Sequence, residues 1–132
     1  MSYPEIIRFE TAWNDWRGDI TNILPPGYQV SNIAIITSRA GSMRSGHYHK
    51  KSSHWCYVVE GFMWYHYRPV GSSDPPERAL INKGQAVFTP PEVEHLMHFP
   101  DNTVFLSISD EPQYHEAHEE DLVRCPIPLT KH

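Results

Sequence analysis

Residues 41–61 read GSMRSGHYHKKSSHWCYVVEG and place three histidines, His47, His49 and His54, close together in the chain. Side chains two positions apart on a β-strand project from the same face, so His47 and His49 share one side of a predicted strand. The polar residues 50–53 predict a turn, after which His54 opens a second, apolar strand. If these two strands pair antiparallel, all three imidazoles face one interior.

A fourth histidine, His95, follows in the segment PPEVEH. Pro90 and Pro91 have no N–H to donate to a sheet, so the strand before them must end there. That break directs Glu92, Glu94 and His95 back toward the mouth of a barrel. Imidazole is the commonest metal-ligating side chain and binds through a neutral nitrogen. We therefore predict that these four histidines hold one divalent metal ion.

The same residues resemble the cupin superfamily. Its first motif, G-x5-H-x-H-x4-E-x6-G, is matched at every spacing by Gly41, His47, His49, His54 and Gly61. Its second motif, G-x5-P-x-G-x2-H-x3-N, is matched by Gly84, Pro90 and His95, while Glu92 and Phe99 replace the second glycine and the asparagine. The other departure is His54, where the family usually has glutamate. The resemblance implies an all-β, cupin-type jelly-roll barrel or sandwich with a metal inside.

The departure at His54 has a chemical consequence. A ligand set of four neutral histidines leaves the full charge of a divalent ion uncompensated, which strengthens it as a Lewis acid. Imidazole ligands suit iron, zinc or nickel, and manganese is also considered for a reaction without redox change.

Length and composition limit the possible domain organisation, partners and location of the protein. The chain has 132 residues, a formal charge of −5 and a pI near 5.9, which predict one domain and argue against nucleic acid as a partner. We expect an N-terminal segment (residues 1–28), a barrel core (29–109) and a C-terminal tail packed on the barrel (110–132). No signal peptide or membrane-spanning apolar run is recognisable, so the prediction is a cytoplasmic protein whose Cys56 and Cys125 are reduced.

Several residues near the predicted site are candidate acids or bases. The strand FMWYHYR turns either Phe62, Trp64 and His66 or Met63, Tyr65 and Tyr67 inward, and alternation alone does not choose between the sets. The candidate catalytic groups are Glu92, Glu94, His66, Tyr65 and Tyr67.

Three hypotheses about function follow. The first is a metal-dependent enzyme, either an oxygenase or a redox-neutral isomerase, cyclase or lyase, acting on a small anionic or carbonyl- or hydroxyl-bearing substrate. The second is an epimerase or ketoisomerase of nucleotide-linked keto-sugars, because residues 46–50, GHYHK, and the stretch RGD resemble segments of such cupins. There the histidines would act as bases without a metal, and Arg39, Arg44, Lys50 and Lys51 would face a pyrophosphate. The third is a non-catalytic ligand-binding module.

A homodimer is also expected. Trp13, Trp16, Trp55 and Tyr57 offer apolar surface for pairing through one face of a sheet.

Overall fold

The computed structural model describes residues 4–110 and 121–125, and these residues form twelve β-strands. The first six are β1 (Glu5–Arg8), β2 (Thr11–Asp15), β3 (Gly18–Thr21), β4 (Asn32–Ser38), β5 (Ser42–His49) and β6 (His54–Glu60). The next six are β7 (Phe62–Pro69), β8 (Glu77–Asn82), β9 (Gln85–Thr89), β10 (Val93–Phe99), β11 (Thr103–Ser109) and β12 (Leu122–Arg124).

Ten of these strands form two antiparallel sheets, and the remaining two form a separate hairpin. The first sheet has the strand order β1-β9-β6-β11-β4, and the second has the order β12-β5-β10-β7-β8. The hairpin β2–β3 pairs with neither sheet. The predicted all-β, cupin-like sandwich in one domain is thereby confirmed. Two strands outside the predicted core range of 29–109, β1 and β12, complete the sheets at their edges.

A continuous apolar core separates the inner faces of the two sheets. Alternating residues of each strand point inward, into the space between the two sheets. The core consists of Cys56, Val58, Met63, Tyr65, Ile81, Val87, Met97, Phe99 and Phe105. The strand β7 therefore turns Met63, Tyr65 and Tyr67 inward, which settles the alternative that alternation left open.

The outer face of the first sheet is apolar as well. Trp55, Ala86 and Ile108 are buried there, and Ile23 and Tyr28 pack against them from the segment that precedes β4. Trp55 is thus covered by its own chain. No helix among the described residues has the length and apolarity needed to cross a membrane.

The tight turn between β6 and β7 depends on Gly61. Its φ of +84° is a backbone conformation that favours glycine, and a Cβ there would lie 2.5 Å from the carbonyl oxygen of Asn102. Any larger residue would collide with the start of β11, so this glycine fixes where β6 ends.

Glu92 adopts a positive φ of 64° at the position where the cupin motif has glycine. A left-handed conformation costs an ordinary residue about 1–2 kcal/mol, part of which glycine loses again through its greater freedom in the unfolded chain. We therefore expect Glu92→Gly to raise the free energy of unfolding by about 1 kcal/mol in urea denaturation. The matched control is Glu60→Gly, an exposed strand position with ordinary φ, which should lower it. Equal losses in both variants would contradict the assignment of strain to residue 92.

Candidate active site

Four imidazoles meet between the two sheets, at the end of the sandwich where β5 ends and β6 and β10 begin. They form what we call the histidine cluster: His47, His49, His54 and His95. Their ring centroids lie between 4.8 and 5.9 Å apart in the five pairs that are in contact. Three of the four rings are almost completely buried, and the ring of His47 is partly exposed. The structure thus brings together all four histidines that the motif predicts.

The strands reach the cluster differently from the prediction. His47 and His49 lie on β5, and His95 lies opposite His47 on the neighbouring strand β10 of the second sheet. His54 lies on β6 of the first sheet, so it faces the others across the sandwich. The expected direct pairing of β5 with β6 was therefore wrong, although the common interior that it predicted is present.

Three members of the cluster have the spacing of possible metal ligands. One ring nitrogen from each of His47, His49 and His95 lies within 4.8 Å of the other two. The Nε2 atom of His95 is buried and has no hydrogen-bond partner among the described residues, so it is free to accept a proton or a metal. His54 does not belong to this set. The donor atoms fit a three-histidine site, and a four-histidine site remains a prediction.

Asp121 orients the second histidine of the motif. Its Oδ2 lies 2.7 Å from Nδ1 of His49, and both side chains are buried. The other carboxylate oxygen accepts backbone N–H groups of Lys51, at 2.6 Å, and Ser52, at 3.1 Å. The Ser52 hydroxyl donates to Oδ2.

These hydrogen bonds decide the charge of the carboxylate. Burial raises the pKa of Asp121, but the hydrogen bonds from Ser52, Lys51 and His49 outweigh it and lower the pKa to about 2. A charged carboxylate only accepts hydrogen bonds, so Nδ1 of His49 carries a proton, and in the neutral ring the lone pair is then on Nε2. An imidazole held in this tautomer by a carboxylate is suited to act as a general base.

Sequence reasoning missed Asp121. It lies 72 residues beyond His49, in an acidic stretch that we interpreted as part of a tail. No spacing rule connects the two positions, since β12 pairs with β5 although six strands, β6 to β11, lie between them in the chain.

Burial keeps part of the cluster neutral. Burial, followed by the nearby His95, His49 and His47, lowers the pKa of His54 well below its usual 6.5. Burial lowers the pKa of His95 to about 4, although a hydrogen bond between its Nδ1 and the Val93 carbonyl, at 3.1 Å, acts in the opposite direction. These two imidazoles are therefore uncharged at neutral pH.

Two tyrosines of β7 continue the wall of the site. Tyr67 pairs with His95 across β7 and β10, and its pKa is raised by burial and then by the charge of Glu77. Its phenol therefore stays protonated at neutral pH. Tyr65 is fully buried and shares a hydrogen bond of 2.8 Å with the Thr89 hydroxyl. Of the two predicted tyrosines, Tyr67 is the one that is partly exposed.

The other predicted acid–base residues lie elsewhere. Glu94 and His66 are on the outer face of the second sheet, because each alternates with an inward-facing neighbour on its strand. Glu94 forms a buried ion pair of 3.1 Å with Arg68. Glu92 is exposed in the turn before β10, where its N–H donates to the His49 carbonyl. Their proposed role as bases is not supported by these positions.

The four basic residues predicted to face a pyrophosphate fall into two groups. Lys50 and Lys51 follow directly after His49 and are exposed beside the cluster. Arg39 and Arg44 lie toward the other end of β5, where Arg44 donates to the Ser38 hydroxyl and the Thr37 carbonyl, each at 2.8 Å. Only the two lysines are placed to meet a ligand at the cluster.

No protein-family model and no curated protein matches the sequence. Solved structures do match. A double mutant of the 3,4-ketoisomerase QdtA from Thermoanaerobacterium thermosaccharolyticum, in complex with TDP, is 24% identical with a TM-score of 0.76, covering 94% of this chain and 89% of that one. A 3,4-ketoisomerase from Helicobacter canadensis is 16% identical with a TM-score of 0.77, covering 94% and 92%. The dTDP-4-dehydrorhamnose 3,5-epimerase from Sulfolobus tokodaii is 17% identical with a TM-score of 0.73, covering 92% and 80%.

The chain has the fold of these sugar-nucleotide isomerases. The likeness extends over nearly the whole chain, and it agrees with the cupin-type fold that the two motifs imply. At these identities the shared isomerase fold says nothing about the reaction. The chemistry must be argued from the histidine cluster and from Asp121.

The neutral imidazoles make stability depend on pH. The pKa of His95 is about 4 in the folded state and about 6.5 when unfolded, so only the unfolded chain gains a proton between these values. In metal-free protein the free energy of unfolding should therefore fall by about 2 kcal/mol from this residue between pH 7 and pH 5. His54 adds a change of the same sign.

Urea denaturation at several pH values measures this slope. His95→Gln should make the slope shallower, whereas Tyr65→Phe, a neighbouring buried change without a group that titrates in this range, should leave it as in the wild type. Identical slopes in His95→Gln and wild type would contradict the assignment.

Proposed function

We propose that the protein isomerises a nucleotide-linked 4-keto-sugar, and that His49 with Asp121 is its general base. The observation that carries the proposal is the buried pair itself, with Nδ1 and the carboxylate 2.7 Å apart. The fold supports the same substrate class. A mutant of QdtA is in complex with TDP-4-keto-6-deoxyglucose, and the ketoisomerases share this arrangement of strands.

The reaction requires only proton transfers. His49 removes the proton from C3, next to the ketone at C4, and the electron pair forms an enediol as the C4 oxygen is protonated. A proton then returns at C4 while the hydroxyl at C3 loses its own, which leaves the ketone at C3. Atoms and electrons balance without an oxidant.

Tyr67 is the proposed proton donor to the C4 oxygen. Its phenol is protonated at neutral pH, because burial and Glu77 raise its pKa, and it lies on the strand next to His95. A hydrogen-bond donor aimed at the developing oxyanion lowers the barrier most in a site that excludes water. The neutral rings of His54 and His95 add no positive charge that would suppress protonation of the base.

The diphosphate of the substrate is proposed to lie along the rim formed by Lys50, Lys51 and Arg124. The two lysines follow His49, and Arg124 pairs with His47 across β12 and β5. Paired residues of antiparallel strands point to the same side, so Arg124 shares the face of the cluster. These cations replace Arg39 and Arg44 in the predicted pyrophosphate site.

Turnover of TDP-4-keto-6-deoxyglucose tests the proposal. We expect His49→Asn and Asp121→Asn to lower kcat by roughly a thousandfold with KM changed by only a few-fold, since the base contributes mainly to the transition state. NMR in D2O follows the product and shows deuterium entering at C4. His98→Asn, on the outer face, is the matched control and should keep wild-type turnover.

The outcomes separate the hypotheses. Wild-type protein that neither converts the keto-sugar nor binds TDP would overturn the proposal. Binding of TDP without turnover would favour the third hypothesis, a ligand-binding module. Deuterium entering at C3 or C5 with the ketone remaining at C4 would identify an epimerase that uses the same base.

A metal-dependent isomerase is the second candidate, because His47, His49 and His95 have the spacing of ligands. Asp121 would orient His49 for such a role as it does for the base. A bound divalent ion would polarise the substrate carbonyl. The ketoisomerases and the epimerase to which the chain is similar do not support the oxygenase chemistry that we also considered.

Elemental analysis of protein without a histidine tag decides between the two. A stoichiometric ion that His47→Ala and His95→Ala both remove, together with turnover that a chelator abolishes, would establish the metal site. Full turnover in metal-free protein would reject it.

We also propose that the protein is a homodimer. The expected contacts change, since Trp55 is covered within the chain, while Trp13 and Trp16 on the β2–β3 hairpin remain 59% and 93% exposed. Ile33 and Ile35 are 58% and 75% exposed on β4, which has no further neighbour in its sheet among the strands that the structure describes. Apolar surface of this kind at an unpaired edge is normally covered.

Light scattering tests the dimer. We expect the wild type to have twice the monomer mass and Ile35→Lys to shift it to monomer, because one buried charge per protomer must be desolvated at the interface. Thr37→Lys, also on β4 but polar from the outset, is the control. A monomeric wild type would contradict the proposal.

A further inference from the structure

We propose that Arg68 and Glu94 form a positioning device, which acts through Cys125 to hold β12 and thereby keeps Asp121 against His49. This outer-face lock, defined by Arg68, Glu94 and Cys125, touches no substrate. Its catalytic readout rests on the proposed function, whereas its structural readouts do not.

The ion pair is in an unusual place for charged residues. Arg68 and Glu94 face each other across β7 and β10 on the outer face of the second sheet, yet they are only 7% and 8% exposed. Their side chains meet at 3.1 Å. Two buried charges lose their hydration, and an apolar pair of the same size is often as stable. The pair therefore calls for a role other than stability.

Cys125 connects this pair to the last strand. Its thiol lies against the Glu94 carboxylate and near Arg68, and burial followed by contact with Glu94 raises the pKa of the thiol to about 12. Its backbone N–H donates to the Gly46 carbonyl of β5 at 2.9 Å. The residue after β12 is thus fastened twice, once to β5 and once to the ion pair.

The strand β12 needs such fastening. It has three residues and, within residues 4–110 and 121–125, lies at the edge of the second sheet and pairs only with β5, where Leu122 opposes His49 and Arg124 opposes His47. Its other end is held by the Asp121 carbonyl, which accepts the Lys50 N–H at 2.8 Å. A short edge strand opens easily, so its two ends determine whether it stays in register.

The lock is attached to two strands, β10 and β5, that also carry histidines of the cluster. On β10, His95 points inward to the histidine cluster, and the preceding residue, Glu94, points outward to the lock. On β5, Gly46 receives the Cys125 N–H immediately before His47. The lock therefore ties the segment that delivers Asp121 to the same two strands that carry three of the four imidazoles.

Two variants test the lock without leaving a lone buried charge. Cys125→Ala removes the thiol contact and keeps the ion pair, and the double variant Arg68→Met with Glu94→Leu replaces both charges by apolar side chains of similar size. The control is the double variant Lys83→Met with Glu60→Leu, which removes an exposed ion pair of the same 3.1 Å length.

Hydrogen exchange and NMR supply the structural readouts. Amide exchange at Val123 and at residue 125, whose N–H groups point toward β5, should become at least tenfold faster in both lock variants, with the amides of β10 within twofold of wild type. The proton on Nδ1 of His49, assigned by its loss in Asp121→Asn, should weaken or disappear. With the keto-sugar as substrate, kcat should fall about tenfold and KM should stay within twofold.

Unchanged exchange at β12 in both variants, or a uniform acceleration across all strands, would overturn the lock, since the second result describes general destabilisation. A wild type that fails to convert the sugar, with β12 exchange and the His49 resonance responding as expected, would overturn the proposed function and sustain the lock.

Discussion

The hydrogen bonds to the Asp121 carboxylate are the constraint on which the site depends. A buried carboxylate is costly unless its oxygens are satisfied, and here two backbone N–H groups, the Ser52 hydroxyl and the His49 ring supply the donors. Meeting that demand closes the turn after β5, selects the tautomer of His49 and draws β12 onto the sheet. One charge thereby organises three elements that are far apart in sequence.

The interior of the sandwich has an apolar end and a polar end. Phe99, Phe105 and Met63 belong to the apolar core, and the four imidazoles lie at the other end, where β5 ends and β6 begins. Burial keeps His54 and His95 uncharged, so the histidine cluster offers proton acceptors without a large positive charge. Such a cluster suits proton transfer at a carbon beside a ketone, and the same lone pairs suit a metal ion.

The sequence determines those parts of the site that follow from strand alternation. His47 and His49 could be placed on one face because they are two residues apart, and Pro90 with Pro91 correctly ended the strand before His95. Sheet membership could not be predicted, since β5 and β6 are adjacent in the chain but belong to different sheets.

Long-range partners were not predictable from spacing. Asp121, the hydrogen-bond partner of His49, lies in an acidic stretch. The chain around it shows no periodic pattern that connects it to β5. Glu94 illustrates the opposite error, because proximity to His95 in sequence suggested a base, although neighbouring residues of a strand face opposite sides. The fold class needed only the motifs, the short strands and the turn residues.

The close approach at Gly61 has an effect far from its own turn. The first sheet is apolar on both faces, so hydrophobicity alone would tolerate β6 shifted by one residue, with the indole of Trp55 inside and the imidazole of His54 outside. The collision that any Cβ would make with Asn102 forbids that slip. Gly61 thus fixes the register of β6 by a steric limit. That register places the imidazole of His54, and not the indole of Trp55, on the inner face of the sheet.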